Sequence, residues 1–322
     1  MFKKSSYTVL LIILVVLAGI YLIAEYSGSK ERSFESKLSD LDTARITEVY
    51  INQPGSPEIT LFRENSGWKI EYEEESYPAD QQQTVRLLTQ LMDMTAEKVA
   101  ALEESKWEEL QVTDEKGIRV IAREGHKTAA DLFIGRLTYV RPSASGAEVD
   151  PQLAERGKMI TYVRPYEETT VYGVEGFLRP SFNRSPEDFR DKTIVALDPM
   201  NVDRIRFDYP SDSSYTLEYR NGKWFADGML ADSARTVRYL GNMRSQKGQE
   251  FANDYDVSAR TPDYKLTIEG SNFRPVEVAA YKADSIHQYV ITSSINPGSL
   301  FRNGDYNTFD KIFQEKEFFT RK

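Results

Sequence analysis

The chain of 322 residues has no cysteine and only two histidines, His126 and His287. The absence of cysteine excludes disulfide bonds, thiol catalysis, thiolate metal sites and the lipid-carrying cysteine of a bacterial lipoprotein. Two single histidines, widely separated in the sequence, do not have the spacing of a histidine-rich metal site. We therefore expect neither a bound metal nor any other cofactor.

Catalytic motifs are also absent from the sequence. No glycine-rich phosphate loop follows a predicted strand, and no Gly-x-Ser-x-Gly or His-Glu-x-x-His motif is present. The spacing Asp254-x-Asp256-x-Ser258 resembles a calcium loop, but it lacks the glycine at the sixth position and the terminal glutamate, so it predicts an ordinary turn. His126 follows a glycine and is predicted to lie in a hairpin turn. The sequence therefore predicts a protein that is not an enzyme.

The composition is that of a folded, sheet-rich protein. Hydrophobic residues make up 40% of the chain and charged residues 28%, which is typical of globular domains. Aromatic residues reach 12%, with 19 tyrosines and 16 phenylalanines, and these side chains favour β-sheets. The net charge of −9 repels the phosphates of nucleic acids, so we expect no nucleic acid among the partners.

A long apolar run lies near the N-terminus, from Thr8 to Ala24. As a helix it would be about 26 Å long, close to the ~30 Å hydrocarbon core of a bilayer. Lys3 and Lys4 precede the run. The positive-inside rule then places the N-terminus in the cytosol and the bulk of the chain in the periplasm, as in a bacterial inner-membrane protein. No second run of comparable length follows, which predicts a single-pass protein.

A cleaved signal peptide is the alternative to this anchor. Signal peptides usually have a shorter apolar region, of about 7–15 residues, followed by a small-x-small cleavage site. The longer run favours an uncleaved anchor, but Ser27, Gly28 and Ser29 also offer such a site, so both alternatives stay open. We assign residues 1–26 to a cytosolic stub with the transmembrane anchor, and residues 27–40, rich in Ser, Lys and Glu, to a tether.

One sequence segment occurs twice. The pattern Ala-Asp-x-x-x-Thr-Val-Arg-x-Leu is present at residues 79–88 and again at residues 231–240. Upstream, an offset of 156 residues pairs Trp68 with Trp224, and the offset then falls to 152 because the first copy carries four extra residues around 73–76. Each copy predicts two strands, a turn, a strand that bears the tryptophan, and a helix.

The duplication predicts the architecture. We expect an α+β fold of two similar sheet-plus-helix halves that arise from an internal duplication, preceded by one transmembrane helix. The first α+β repeat is assigned to residues 41–195 and the second to residues 196–322.

Asp80 and Asp232 are predicted to be the N-caps of the two repeated helices. A carboxylate at this position accepts hydrogen bonds from unpaired backbone N–H groups and faces the positive end of the helix dipole. Each helix is expected to pack one apolar stripe on a sheet. The predicted stripes are Val85, Leu88 and Leu91 or Met92 in the first helix, and Val237, Leu240 and Met243 in the second.

The repeated tryptophans and arginines each have two interpretations. Trp68 and Trp224 could form a ligand platform, but repetition favours a role as anchors of two equivalent cores. Arg86 and Arg238 indicate a specific partner, such as a carboxylate in the same half, because a solvated helix face would equally accept Lys or Gln; a binding role is the alternative. The residues predicted to form the structural signature of the repeat are Trp68, Asp80, Arg86, Leu88, Trp224, Asp232, Arg238 and Leu240.

These elements resemble a bacterial membrane-anchored family that is catalogued only as domain of unknown function 4340. The resemblance rests on the Lys-Lys-hydrophobic anchor, the two Ala-Asp helices, and the segments Gly67–Ile70, Phe189–Lys192 and Asn221–Trp224. Members of this family tend to accompany gliding-motility-like or ABC-type transport components of the membrane. The resemblance therefore implies an accessory role and supplies no catalytic residues.

Together these observations predict a non-enzymatic accessory or scaffold protein. It would be anchored in the membrane by its N-terminal helix and would serve an envelope transport complex. The alternative is a periplasmic protein that binds a glycan or a peptide in a cleft between the two halves. A scaffold is expected to show a broad apolar or aromatic surface patch, and a binding protein a cleft with converging polar groups.

Overall fold

The computed structural model describes residues 36–39, 41–65, 67–140, 157–283, 288–305 and 307–320. The predicted anchor and the alternative cleavage site lie outside these residues. Within them, no helix is both long and apolar enough to cross a membrane. The fold is mostly β-sheet with a few helices, which confirms the α+β class.

Several strands have side chains that are buried at every second residue, as expected where one face of a sheet is covered. In the strand Ile59–Glu64, Ile59 and Leu61 are buried, and in the strand Tyr215–Arg220, Tyr215 and Leu217 are buried. The strands are β1 (Ser36–Lys37), β2 (Glu48–Asn52), β3 (Ile59–Glu64), β4 (Gly67–Tyr72), β5 (Glu75–Pro78), β6 (Thr95–Ala101), β7 (Ile118–Glu124), β8 (Lys127–Val140), β9 (Lys158–Pro165), β10 (Val171–Glu175), β11 (Thr193–Val195), β12 (Val202–Asp208), β13 (Tyr215–Arg220), β14 (Lys223–Ala226), β15 (Met229–Leu230), β16 (Gln246–Lys247), β17 (Tyr264–Gly270), β18 (Val276–Lys282), β19 (Tyr289–Ser293) and β20 (Phe301–Arg302).

Two longer helices and several short ones accompany the strands. The α-helices are α1 (Gln81–Met92), α2 (Trp107–Leu110), α3 (Leu178–Phe182), α4 (Pro186–Phe189), α5 (Ser233–Met243), α6 (Thr308–Ile312) and α7 (Lys316–Thr320). Short 3-10 turns cover Glu104–Lys106 and Pro199–Asn201.

The chain divides into two compact units. The first takes its residues from Met1–Ile46, Ile51–Ser56 and Leu88–Asn183, and the second from Thr47–Tyr50, Pro57–Leu87 and Arg184–Lys322. The predicted boundary between residues 195 and 196 therefore lies inside the second unit.

In the first unit, neighbouring strands follow the order β1-β6-β10-β9-β8-β7. His126 lies in the two-residue turn between β7 and β8, as predicted, and Gly125 beside it has a positive φ. Leu110 at the end of α2, Val112, Phe133 of β8 and Val171 of β10 form a small buried cluster.

The second unit contains the series β3-β4-β5 and an eight-stranded sheet of order β15-β14-β13-β12-β17-β18-β19-β20. Residues 48–50 of β2 belong to this unit, and residues 51–52 belong to the first. β11 pairs with β16 in a separate two-stranded sheet. Asn221 and Gly222, both with positive φ, form the Asn-Gly turn between β13 and β14, which suits a two-residue hairpin. The sheet buries its inner face beneath α5, α6 and α7.

Three tyrosine hydroxyls of the eight-stranded sheet and α5 form hydrogen bonds with the segment around α6 and α7. Tyr209 and Tyr215 each donate to the backbone oxygen of Gln314, at 2.8 and 2.7 Å, and Tyr239 donates to that of Ile312 at 2.8 Å. Burial raises the pKa of all three hydroxyls above the ordinary value of tyrosine. They therefore serve as neutral hydrogen-bond donors in the core.

The predicted helix stripes need one correction. Val85 and Val237 are 52% and 67% exposed, whereas Thr84 and Thr236 are fully buried. Each threonine hydroxyl donates to the backbone oxygen four residues earlier, so its polar group is satisfied and its methyl group can pack. The buried stripes have the spacing i, i+3, i+4, i+7 and consist of Thr84, Leu87, Leu88 and Leu91 in α1 and of Thr236, Tyr239, Leu240 and Met243 in α5.

Candidate functional site

The helix α1 begins at a capping site built from residues that are distant in the sequence. The Oδ1 atom of Asp80 accepts the N–H of Gln83 at 3.0 Å, and its backbone oxygen accepts the N–H of Thr84 at 2.9 Å. The N–H of Asp80 donates to the backbone oxygen of Phe189 at 2.8 Å. Upstream, the N–H of Ala79 donates to the oxygen of Trp68 at 3.0 Å. We call Trp68, Ala79, Asp80 and Phe189 the first cap junction.

The helix α5 begins with the same set of hydrogen bonds. Asp232 is its N-cap, and Oδ1 accepts the N–H of Arg235 at 2.9 Å. The N–H of Asp232 donates to the oxygen of Phe319 at 2.7 Å, and the N–H of Ala231 donates to that of Trp224 at 2.9 Å. We call Trp224, Ala231, Asp232 and Phe319 the second cap junction. Phe189 and Phe319 are both fully buried.

The two tryptophans differ in their surroundings. Trp68 is buried, and the guanidinium of Arg63 lies 4.9 Å from its ring centre. The side chain of Gln81 accepts from the N–H of Trp68 at 2.7 Å and donates to its oxygen at 2.9 Å. Trp224 is half-buried, and the ring of Tyr219 lies 5.3 Å away. Both rings pack against neighbouring strands, which is a structural use of the side chain.

The capping carboxylates also differ. Lys247 forms an ion pair of 3.1 Å with Oδ2 of Asp80. Burial by itself raises the pKa of Asp80, but the hydrogen bond from Gln83 and the charge of Lys247 outweigh it, so that the pKa lies below its ordinary value. Asp232 has no ion pair with any residue that the structure describes.

Arg190, next to Phe189, is a charged residue buried to 99%. Its guanidinium lies between the rings of Tyr77 and Phe251, 3.5 and 3.6 Å from their centres. Nη1 donates to Oδ1 of Asn253 at 2.9 Å, while Nε and Nη2 have no hydrogen-bond partner among the described residues. Burial lowers the pKa of Arg190. Packing between two aromatic rings is therefore the principal contact of this side chain.

Arg86 and Arg238 are both exposed on their helices. Neither forms an ion pair within the described part of the chain, so the predicted carboxylate partner is not found there. Arg86 acts on Asp80 only through its charge, which contributes to the lowered pKa of that carboxyl. Leu88 and Leu240, by contrast, are buried as predicted.

An open groove of about 520 Å³ lies in the second unit, beside Arg190. Two of its lining side chains, Phe251 and Asn253, also contact the guanidinium of Arg190. Arg302 lines the groove and pairs with Asp254 at 2.9 Å. The lining residues are Ser185, Glu187, Gln249, Glu250, Phe251, Asn253, Asp254 and Arg302.

Metal ligands do not gather in the described residues, where no group of three or more His, Asp or Glu side chains could hold an ion. Asp256 accepts from the N–H of Ser258 at 2.8 Å and from its hydroxyl at 3.1 Å. This is an ordinary turn, as predicted.

Sequence analysis did not identify Phe189, Phe319 and Arg190 as partners of the repeated helices. Phe189 lies about 110 residues from the Asp80 with which it bonds, and only the fold brings the two together. Phe189–Lys192 is one of the segments on which the family resemblance rests, and its aromatic ring beside a basic residue is the signal for this junction that the sequence contains.

Comparison with known proteins supports one family. Neither the curated proteins nor the solved structures contain a match to the chain. Residues 154–267, about a third of the chain, match the family model described as Domain of unknown function (DUF4340). The matched range includes Phe189–Lys192 and the Asp232 cap, whereas Trp68 and Asp80 precede it. This match confirms the resemblance to the DUF4340 family that the sequence motifs indicate.

Proposed function

We propose that this protein is a non-enzymatic accessory or scaffold subunit of an envelope complex of the ABC-transport or gliding-motility-like kind. The observation that carries the proposal is the pair of exposed Val-Arg dipeptides, Val85-Arg86 and Val237-Arg238. Both recur in the duplicated segment, although the threonine before each of them already fills the buried position. A residue that recurs without a core role fits a surface that contacts a partner.

An internal duplication is part of this proposal. Two helices with the same N-cap bonds, each following a strand that bears a tryptophan, support a common origin of the two segments. The polar atoms of Asp80, Thr84, Asp232 and Thr236 are used to start and pack these helices. The repeated residues therefore build an architecture and present two similar helix faces.

The membrane anchor is the second part of the proposal. It rests on the apolar run at residues 8–24 and on the two lysines that precede it. In this arrangement a short N-terminus lies in the cytosol, and the rest of the chain meets its partners in the periplasm.

Affinity purification of the full chain from membranes, after brief chemical cross-linking, tests the proposal. Arg86→Glu together with Arg238→Glu should reduce recovery of transport or motility subunits by about tenfold or more. Each substitution places a negative charge where the wild-type surface presents a positive one to the partner. Arg244→Glu, at another exposed arginine of the second repeat, is the matched control and should recover the wild-type amount. Equal recovery by all variants would refute the proposed contact surface.

The groove beside Arg190 supports a second candidate, binding of a glycan or peptide. Its lining combines amide, carboxylate and guanidinium groups, and it takes Ser185 and Glu187 from the predicted first repeat and the remainder from the predicted second. Such converging planar polar groups suit ligands with many hydroxyl or amide groups.

Titration calorimetry tests this candidate, with an N-acetylated glycan tetramer and an alanine-rich pentapeptide as probes. Saturable binding that is lost in Asn253→Ala or Glu187→Ala would support it. Exposed Asn183, outside the groove, provides the control variant Asn183→Ala. Absence of binding to the wild-type chain would reject this candidate for these ligand classes.

A further inference from the structure

The first unit has an open groove of its own, with a volume of about 340 Å³. Three of the side chains that line it are cations and one is a carboxylate, although the whole chain carries a net charge of −9. The groove is therefore a local site of positive charge on an acidic protein. Its lining residues are Lys98, Val99, Ala100, Lys106, Glu109, Leu110, Arg136 and Tyr162.

The register of the sheet places two of these cations on either side of one tyrosine ring. Gly173 of β10 pairs with Lys98 of β6 on one side and with Tyr162 of β9 on the other. Residues that pair directly across strands lie on the same face of a sheet. Arg136 of β8 comes next, and its guanidinium lies 5.8 Å from the centre of the Tyr162 ring.

A β-bulge sets the position of Arg136. Opposite Tyr162, β8 has one residue more than β9, so that Gly135 and Arg136 together face a single residue. A bulge changes the direction of a side chain relative to the regular strand. Here it accompanies the placement of the arginine beside the tyrosine ring.

Gly173 leaves room for the side chain of Lys98. A methyl group at this glycine would lie 3.2 Å from Cγ and 3.3 Å from Cε of Lys98, so the lysine stem lies across the glycine. A glycine inside a strand often marks a place where another group approaches closely. Any larger residue would push the lysine away from the strand that leads to Tyr162.

The positive charges of Lys98 and Arg136 are not balanced within the described part of the chain, where neither side chain forms an ion pair. The carboxylate of the groove, Glu109, pairs instead with Lys106 at 3.0 Å. The hydrogen bond from Lys106 lowers the pKa of Glu109, and the charge of Arg136 adds to this effect. Two cations without a carboxylate partner thus flank the tyrosine ring, and an anion between them would be attracted by both.

We propose that this groove binds a phosphate group between Lys98 and Arg136, over the ring of Tyr162. The oxygens of a phosphate point in four directions, so they can accept from the ammonium on one side and from the guanidinium fork on the other. A carboxylate has only two oxygens in one plane and fits two opposed donors less well. The phosphate can belong to a soluble monoester or to the phosphodiester headgroup of an anionic lipid.

Titration calorimetry of the full chain, in a non-ionic detergent at low salt, tests the proposal. Glycerol phosphate is the probe for soluble monoesters, and glycerophosphoglycerol is the probe for lipid headgroups. Saturable binding of at least one of them is expected. Tighter binding of the monoester would identify a soluble phosphate as the ligand class, and equal or tighter binding of the diester would identify a headgroup.

Matched variants locate the site. Lys98→Gln and Arg136→Gln should each weaken binding by about tenfold, because each removes a charged hydrogen-bond donor. Gly173→Ala should weaken it several-fold by displacing the lysine stem. Lys127→Gln, at an exposed cation of β8 outside the groove, is the control and should bind like the wild type.

Thermal melts of the same variants should match the wild type, since Lys98 is exposed and Arg136 is half-buried. The proposal is wrong if neither probe binds, or if Lys127→Gln weakens binding as much as the groove variants do. Acetate that binds as tightly as glycerol phosphate would overturn the assignment to phosphate. The recovery of transport subunits depends on Arg86 and Arg238, which lie outside this groove, so the two proposals can fail separately.

Discussion

Trp68 in the first cap junction is buried against Arg63 and held by Gln81, whereas Trp224 in the second is half-buried beside Tyr219. The backbone hydrogen bonds of the two junctions are nevertheless the same. The Ala-Asp turn and the phenylalanine carbonyl therefore define the junction. The side chain that packs on the tryptophan can be a cation, as with Arg63, or an aromatic ring, as with Tyr219, because both kinds of group pack on an indole face.

The largest effect is expected from the two phenylalanines. Phe189→Ala and Phe319→Ala should each lower the free energy of unfolding by about 3–5 kcal/mol, because each removes a fully buried ring. Urea denaturation of the full chain measures this. Phe177→Ala, at an exposed ring, should change stability by less than about 0.5 kcal/mol. A cost below about 1 kcal/mol at just one junction would show that the two are not equivalent.

Arg190 distinguishes the first junction from the second, where the residue after the phenylalanine is Thr320. Arg190→Ala should cost about 3 kcal/mol, because it opens the space between Tyr77 and Phe251. Arg190→Met should cost less than about 1 kcal/mol, because it fills this space without burying a charge. Equal losses for both variants would indicate that the charge, and not the packing, stabilises the junction.

The capping aspartates should have smaller and slightly different effects. Asp80→Ala and Asp232→Ala should each cost about 1 kcal/mol, and the loss at Asp80 should be the larger at low salt because of its pair with Lys247. Thermal melts at low and high salt measure both. A loss at Asp232 that is the more sensitive to salt would contradict the assignment of the ion pair.

The stabilising contribution of the Asp80 carboxylate depends on pH. The pKa of Asp80 is lowered in the folded state, so its carboxylate stabilises the fold above the ordinary value of about 3.9. This contribution is lost as the pH falls through the lowered pKa. The stability difference between wild type and Asp80→Asn should therefore shrink between pH 5 and pH 3 by urea denaturation. A difference that grows in this range would reverse the sign and refute the shift.

The smallest effect is expected at the buried threonines. Thr84→Val and Thr236→Val should each change stability by no more than about 1 kcal/mol, because valine keeps the shape and the backbone oxygen of the cap keeps its N–H partner. Val85→Thr and Val237→Thr, on the exposed side, should be nearly neutral. Chemical denaturation of the four variants measures these changes in stability. Larger losses at Val85 and Val237 than at Thr84 and Thr236 would show that the buried stripe is wrongly assigned.

The predictions that the structure confirms rest on local sequence patterns. The Ala-Asp segments correctly placed the helices α1 and α5, and the Asn-Gly pair correctly placed the turn before Trp224, because each depends on residues within one turn of the chain. The predicted apolar stripes of α1 and α5 were wrong at Val85 and Val237. Hydrophobicity alone favours valine over threonine, and it does not account for the hydroxyl bond to the carbonyl four residues earlier that allows threonine to be buried.

By itself, the sequence determined the α+β class, the two repeated helix starts and the resemblance to the DUF4340 family, since caps, turns and the strand period are short-range properties. The tertiary structure decided which carbonyl each cap would bind, that Arg190 would lie between Tyr77 and Phe251, and that Arg86 and Arg238 would face the solvent. These outcomes join residues that are far apart in the chain. Their partners are chosen by the packing of the whole unit, and no pattern within a single helix or strand encodes that choice.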